Sequence, residues 1–184
     1  MRPLFGKKDF QAIYDRTNTD SCVPFDCGTL CDSLCCQEHD AYGIYLLPGE
    51  ETMFSQQEPW LTWNTQNARE HGFPESWDGD VYFLSCRGAC QRDLRPLQCR
   101  TYPLAPHLGE QGEFSLIFET LDTGYQCPLI EEPARQKEFS QAWMHHLYQS
   151  WGTLLNDPLI YDLVWMDSEQ RRQEQKSIKR AYGH

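Results

Sequence analysis

The side chains in this sequence with the most chemistry to offer are its nine cysteines. They run as Cys22-x4-Cys27-x3-Cys31-x3-Cys35-Cys36, then Cys86-x3-Cys90-x8-Cys99, then Cys127. Thiolate is the ligand type for zinc, for iron–sulfur clusters and for Cu(I). Three-residue gaps place i and i+4 sulfurs on one face of a helical turn or tight loop. Cys27, Cys31 and Cys35 are thus expected to converge, while Cys36 points elsewhere and serves a second metal or none. Zinc fingers and ribbons use two matching pairs with tighter gaps, so neither is expected. Two tetrahedral sites would take about eight ligands; one site with several spectator thiols fits the count equally. The start of the chain is basic without a following apolar run, which is not a secretory leader. The chain therefore reads as cytoplasmic, where cysteines at this density point to metal or redox chemistry and not to disulfides.

Ligands this far apart in sequence make metal binding part of folding. Between Cys86 and Arg100, four arginines (Arg87, Arg92, Arg95 and Arg100) face a single acid, Asp93, in a chain of formal net charge −11. Guanidinium groups beside a thiolate site would offset its negative charge and donate to sulfur. A solvated basic loop and an anion-binding patch are the other readings of that segment. His39, in Glu38-His39-Asp40, is either a nitrogen ligand or part of a polar turn. His145 and His146 point about 100° apart on a helix and cannot grip one metal together, and His107 has no companion at ligand spacing. Glu50 and Glu51 are adjacent at a turn and make no acid/base pair. No nucleophile elbow, P-loop, dinucleotide fingerprint or His-Glu-x-x-His occurs, so no catalytic residue is assigned.

Cys27-x3-Cys31-x3-Cys35-Cys36, followed much later by Arg95-Pro96-Leu97-Gln98-Cys99-Arg100-Thr101-Tyr102-Pro103, resembles the zinc- or iron-chelating cysteine-cluster family (YkgJ-like). The resemblance spans roughly residues 22 to 128, and the first run departs from the family's usual two-residue gaps. It implies metal chelation by Cys27, Cys31, Cys35, Cys36 and Cys99, with Cys86 and Cys90 as participants. For longer relatives with similar clusters it implies protein modification.

Several elements must position these residues. Phe10, Ile13 and Tyr14 mark an amphipathic helix over Lys7 to Arg16. Gly43 to Leu47 and Asp80 to Cys86 read as strands. Glu50 to Asp78, with three tryptophans and two prolines, reads as an irregular or partly helical excursion. Tyr102 to Leu108 and Phe114 to Leu121 flank a glycine-bearing turn and form a hairpin. Pro133 is placed to start a helix. Phe139, Trp143, Leu147, Trp151 and Leu154 recur at helical spacing, and Asp157-Pro158 starts a second helix. Glu169 to Lys179 is polar enough to be a solvated helix end or frayed tail. The expected fold is α+β: a cysteine-cluster metal-binding domain over 1–130 and a C-terminal helical pair over 131–184 packed on it.

The acidic balance disfavours a nucleic-acid partner, and no window approaches the roughly 20 apolar residues of a membrane span. The expected function is an intracellular metal-binding protein that holds zinc, mainly as a structural staple. The alternative is iron or an iron–sulfur cluster, in electron transfer or in a redox or protein-modifying enzyme. A metal ion is the expected partner; no protein partner is assigned.

Overall fold

The computed structural model describes residues 3–37, 43–87, 91–132 and 134–182, the last five through their backbone. Helix α1 spans Lys7–Thr17 and buries Phe10, Ile13, Tyr14 and Thr17 along one stripe. After the cysteine turns come β1 (Ile44–Tyr45), β2 (Leu61–Asn67) and β3 (Asp80–Cys86), an antiparallel sheet in the order β1-β3-β2. Registers Ile44↔Leu84 and Leu61↔Cys86 place Cys86 at the end of the central strand.

Strand β2 corrects the expectation of an irregular excursion over 50–78. Asn64, Gln66 and Asn67 are poor strand formers and hide its period. Pairing along the whole of β3 holds it, helped by the Trp63 ring 5.1 Å from Tyr82 and by the Tyr45 hydroxyl donating to Gln66 at 2.6 Å.

The short helix α2 (Leu97–Thr101) leads into β4 (Leu104–Leu108), which pairs with β5 (Phe114–Phe118) in the expected hairpin. Gly112 takes φ +85 in the turn, a left-handed conformation that costs glycine nothing. A short α3 (Pro128–Glu131) precedes the C-terminal pair, α4 (Gln141–Leu154) and α5 (Pro158–Tyr182). Ser140 caps α4 by accepting from Trp143 N–H. The Asp157 carboxylate accepts from Leu159 N–H at 2.9 Å as α5 begins. Pro133, the expected helix start, lies outside the described residues.

The fold is α+β, a cysteine-rich body with a C-terminal helical pair. One buried cluster joins Phe10 and Tyr14 of α1, Leu97 of α2, Leu104 and Leu108 of β4, Trp143, Leu147, Trp151 and Leu154 of α4, and Ile160 and Val164 of α5. The polar stretch expected to be solvated beyond residue 169 is helical and carries Arg171, only 3 % exposed. An ion pair to Glu119 at 2.8 Å draws that side chain inward. Among the described residues no helix is long and apolar enough to cross a membrane.

Candidate metal centre

The first cysteine run forms two 3-10 turns, Cys27–Leu30 and Leu34–Cys36, and not one helix. Asp32 (φ 50) and Ser33 (φ 59) break it in left-handed conformations, where short polar side chains are tolerated best. The turns fold closely: a Cβ on Gly28 would stand 2.3 Å from the Ser33 hydroxyl oxygen, so a larger residue would require that side chain to turn away. Asp26 opens the first turn by accepting from Gly28 N–H at 3.0 Å. Cys22 is fastened separately, its carbonyl accepting from Ser140 N–H at 2.9 Å.

The second contributor is α2, which carries Cys99 and is held from three sides. The Glu50 carboxylate accepts from Leu97 N–H and from the Tyr14 hydroxyl, each at 2.7 Å, and from Leu47 N–H at 3.0 Å. Gln98 donates to the Tyr45 carbonyl of β1 at 2.9 Å. Trp151 of α4 donates to the Thr101 hydroxyl at 2.8 Å. Burial pushes the Glu50 carboxyl up, while its three donors and the Arg100 charge pull it back.

These elements bring Cys22, Cys27, Cys31, Cys35, Cys99 and Cys127 onto the walls of one cavity of about 280 Å³. Cys27, Cys31 and Cys35, expected to converge on one metal, share this cavity wall through a tight loop. Cys36 is outside this cavity. It faces a larger neighbouring cleft with Cys86, while Cys35 and Cys99 reach both. Cys90 and His39 lie outside the described residues. The eight described cysteines are free thiols. Among the described residues, no three His, Cys, Asp or Glu side chains close on a common point as a metal-holding group.

The thiols differ electrostatically. Cys36 Sγ lies 3.8 Å from Cys35 Sγ. The hydrogen bond between them is the main reason the Cys36 thiol is pushed down to about 6; burial opposes it, and the Arg95 and Arg92 charges assist. Cys27 is likewise pushed down to about 6, first by its hydrogen bond with Cys22. The partners Cys22 and Cys35 are pushed up by the same bonds and by burial. Cys127 is pushed up by burial. Each pair therefore offers one sulfur predisposed to be a thiolate, the form that binds metal.

The four arginines have separate duties. Arg95 donates to Cys36 Sγ at 3.5 Å. Arg92 lines the cavity and stands 3.9 Å from Asp26 at the exposed rim. Arg87 donates to the Thr62 hydroxyl at 2.6 Å, away from the sulfurs. Arg100 is buried, stacked 4.0 Å over the Tyr14 ring and donating to the Asp93 carbonyl at 2.7 Å and to Asn18. A solvated basic loop is therefore the wrong description of Arg100. His146 pairs with Asp20 at 2.9 Å, and His107 sits on β4 with its Nδ1 buried and unpartnered.

Sequence reasoning missed Glu50, Tyr14 and Asn18 as supports of the site. Nothing local separates buried Glu50 from Glu51; the difference lies in contacts 36 and 47 residues away. The donor set itself suits a thiophilic metal: six sulfurs round one cavity, two acidified thiols, and guanidinium groups that offset thiolate charge. Comparisons with models of protein families, with curated proteins and with solved structures each give no match.

Proposed function

We propose that this chain is a metal-binding protein whose cysteine cluster holds zinc, with the metal acting chiefly as a staple between the cysteine turns, α2 and the Cys127 turn. The observation that carries the reading is the shared cavity: six thiols from three separate stretches of chain line it, with Arg92, Arg95 and Arg100 in its walls. Scattered structural cysteines would have no reason to meet, since each is satisfied as a small buried hydrophobe. Zinc bound there would supply cross-linking free energy to a loop-rich region that lacks a core of its own. Cys27, Cys31, Cys35 and Cys99 are the ligands assigned first, with Cys22 beside Cys27 and Cys127 as the further thiols of the cavity.

A guanidinium donor to sulfur favours a second reading. Arg95 donates to Cys36 Sγ just beyond the six-thiol cavity. An iron–sulfur cluster takes four thiolates, as one zinc does, and an N–H donor to sulfur would raise its potential.

Elemental analysis of anaerobically purified protein, read beside its visible spectrum, separates the two. Zinc at one or two equivalents without visible absorbance is the expected result. Iron with matching acid-labile sulfide moves the assignment to the cluster. Cys27→Ser and Cys99→Ser are each expected to lower metal content and unfolding midpoint together. Full metal and full stability in both variants would remove the proposal.

A further inference from the structure

Beside the cysteine cavity lies the larger cleft, about 620 Å³, within the roughly 300–1,000 Å³ typical of small-ligand sites. Its near wall is the Leu34–Gln37 turn with β1. Its far wall is built from β4, the chain following β5, and α5, with Trp151 of α4 between them.

The charged side chains facing it are Glu119 and Asp122 from the chain after β5, Asp167 and Arg171 from α5, and the acidified Cys36 thiol on the near wall. Four of the five are committed, Cys36 to Cys35 and to the Arg95 donor. Arg171 spends Nε and Nη2 on the Glu119 carboxylate, at 3.0 and 2.8 Å, and Nη1 on the Pro106 carbonyl at 3.4 Å. Asp122 accepts from Gly124 N–H at 2.8 Å and closes its own turn. Asp167, one helical turn before Arg171, has no hydrogen bond or ion pair among the described residues.

We propose that this cleft binds an organic cation, an ammonium group on an apolar body, with the Asp167 carboxylate as its counter-charge. Only the Arg171 charge, already spent on Glu119, offsets the Asp167 carboxylate in its buried position; a bound cation would add a charge-assisted hydrogen bond of its own. Trp151, Leu163 and Val164 give the apolar body its contact surface. Burial pushes the Asp167 carboxyl up to about 6, so at neutral pH it is mostly ionised in a poorly solvated position. An anion would meet three carboxylates and a guanidinium already spent. A neutral ligand would leave Asp167 with the Arg171 charge alone. A calcium-like ion takes six or more oxygens, and the cleft offers one free carboxylate. The inference goes beyond the metal reading and does not depend on which metal the cysteines hold.

The test uses three isosteric probes (hexylammonium, hexanoate and 1-hexanol), titrated into the full chain as purified at pH 7.5 and followed by NMR. Hexylammonium is expected to bind at least tenfold more tightly than hexanol, and hexanoate to show no saturable binding. D167N, checked for folding by circular dichroism, is expected to lose about tenfold for hexylammonium while its affinity for hexanol stays constant. Should D167N fail to fold, the Asp167 carboxyl carbon shift of the unmodified protein takes its place and must move along the hexylammonium saturation curve. Equal affinity for hexanol, an unchanged D167N, a stationary Asp167 shift, or no saturable hexylammonium binding each overturns the proposal. Metal content, measured separately, reports only on the cysteine reading.

Discussion

The candidate metal centre is built from two regions of opposite character. The cysteine turns, 22–37, have one buried residue, Val23, and are held by short-range bonds such as Asp26 to Gly28 and Cys31 N–H to the Gly28 carbonyl at 3.3 Å. The segment 95–103 buries Pro96, Leu97, Arg100, Thr101 and Pro103, and long-range bonds from Glu50, Tyr45 and Trp151 tie it to three other elements. Both contribute thiols to the same cavity. One side of the site is scaffold held by long-range bonds that involve no sulfur; the other, apart from the Cys22 carbonyl bonded to Ser140, is organised by short turns and its sulfurs. A staple has most to add where local contact density is lowest.

The largest effect should come from removing the scaffold's central acceptor. Glu50→Ala leaves the Leu97 and Leu47 N–H groups and the Tyr14 hydroxyl without their shared partner in a fully buried position. A loss of about 3 kcal/mol or more is expected in urea unfolding. Asp26→Ala, which removes the corresponding acceptor from the exposed cysteine turn, should cost under about 1 kcal/mol. Similar costs for the two would erase the distinction between the regions.

The next effect is local. If the metal orders the cysteine turns, chelation should collapse amide-exchange protection over 26–37. Protection over 97–108 should survive, since the bonds holding that stretch involve no sulfur. Protection lost over both stretches together would mean that the metal supports the scaffold as well.

The same contrast governs what could be read from sequence. The helix over 7–17, the strand over 80–86, the hairpin around Gly109–Gly112 and the α4 stripe were all legible, because each buries a face whose period survives in the local pattern. Strand β2 was not, because Asn64, Gln66 and Asn67 carry no strand signal and only pairing with β3 specifies it. That Cys27, Cys31 and Cys35 share one cavity wall was legible from their spacing. The burial of Arg100 and Arg171 did not, because each is determined by a partner more than fifty residues away: Asn18 for one, Glu119 for the other. Charge counted along the chain cannot distinguish a guanidinium that stacks on Tyr14 from one that faces water.

The last effect is smaller than that of Glu50→Ala and concerns the far end of the scaffold, where β4 continues from Pro103. Glu119 N–H donates to the Pro103 carbonyl at 2.9 Å, and its carboxylate clamps Arg171 of α5. Burial alone would push the Glu119 carboxyl up. The Arg171 hydrogen bonds and charge, with the Leu121 and Thr120 N–H groups, outweigh it and hold the carboxyl below its usual value. A carboxyl depressed in the folded state stabilises the fold above its unfolded pKa of roughly 4.3 and loses that contribution as pH falls through the folded value. Glu119→Gln should therefore be less stable than the parent at pH 7, by about 2 kcal/mol. The gap should narrow below about pH 4, as the parent's own carboxylate takes up a proton. Urea unfolding of both proteins between pH 3 and pH 7 measures this directly. A gap that stays the same down to pH 3 would show that the Glu119 charge, and with it the ion pair to Arg171, contributes nothing to α5 docking.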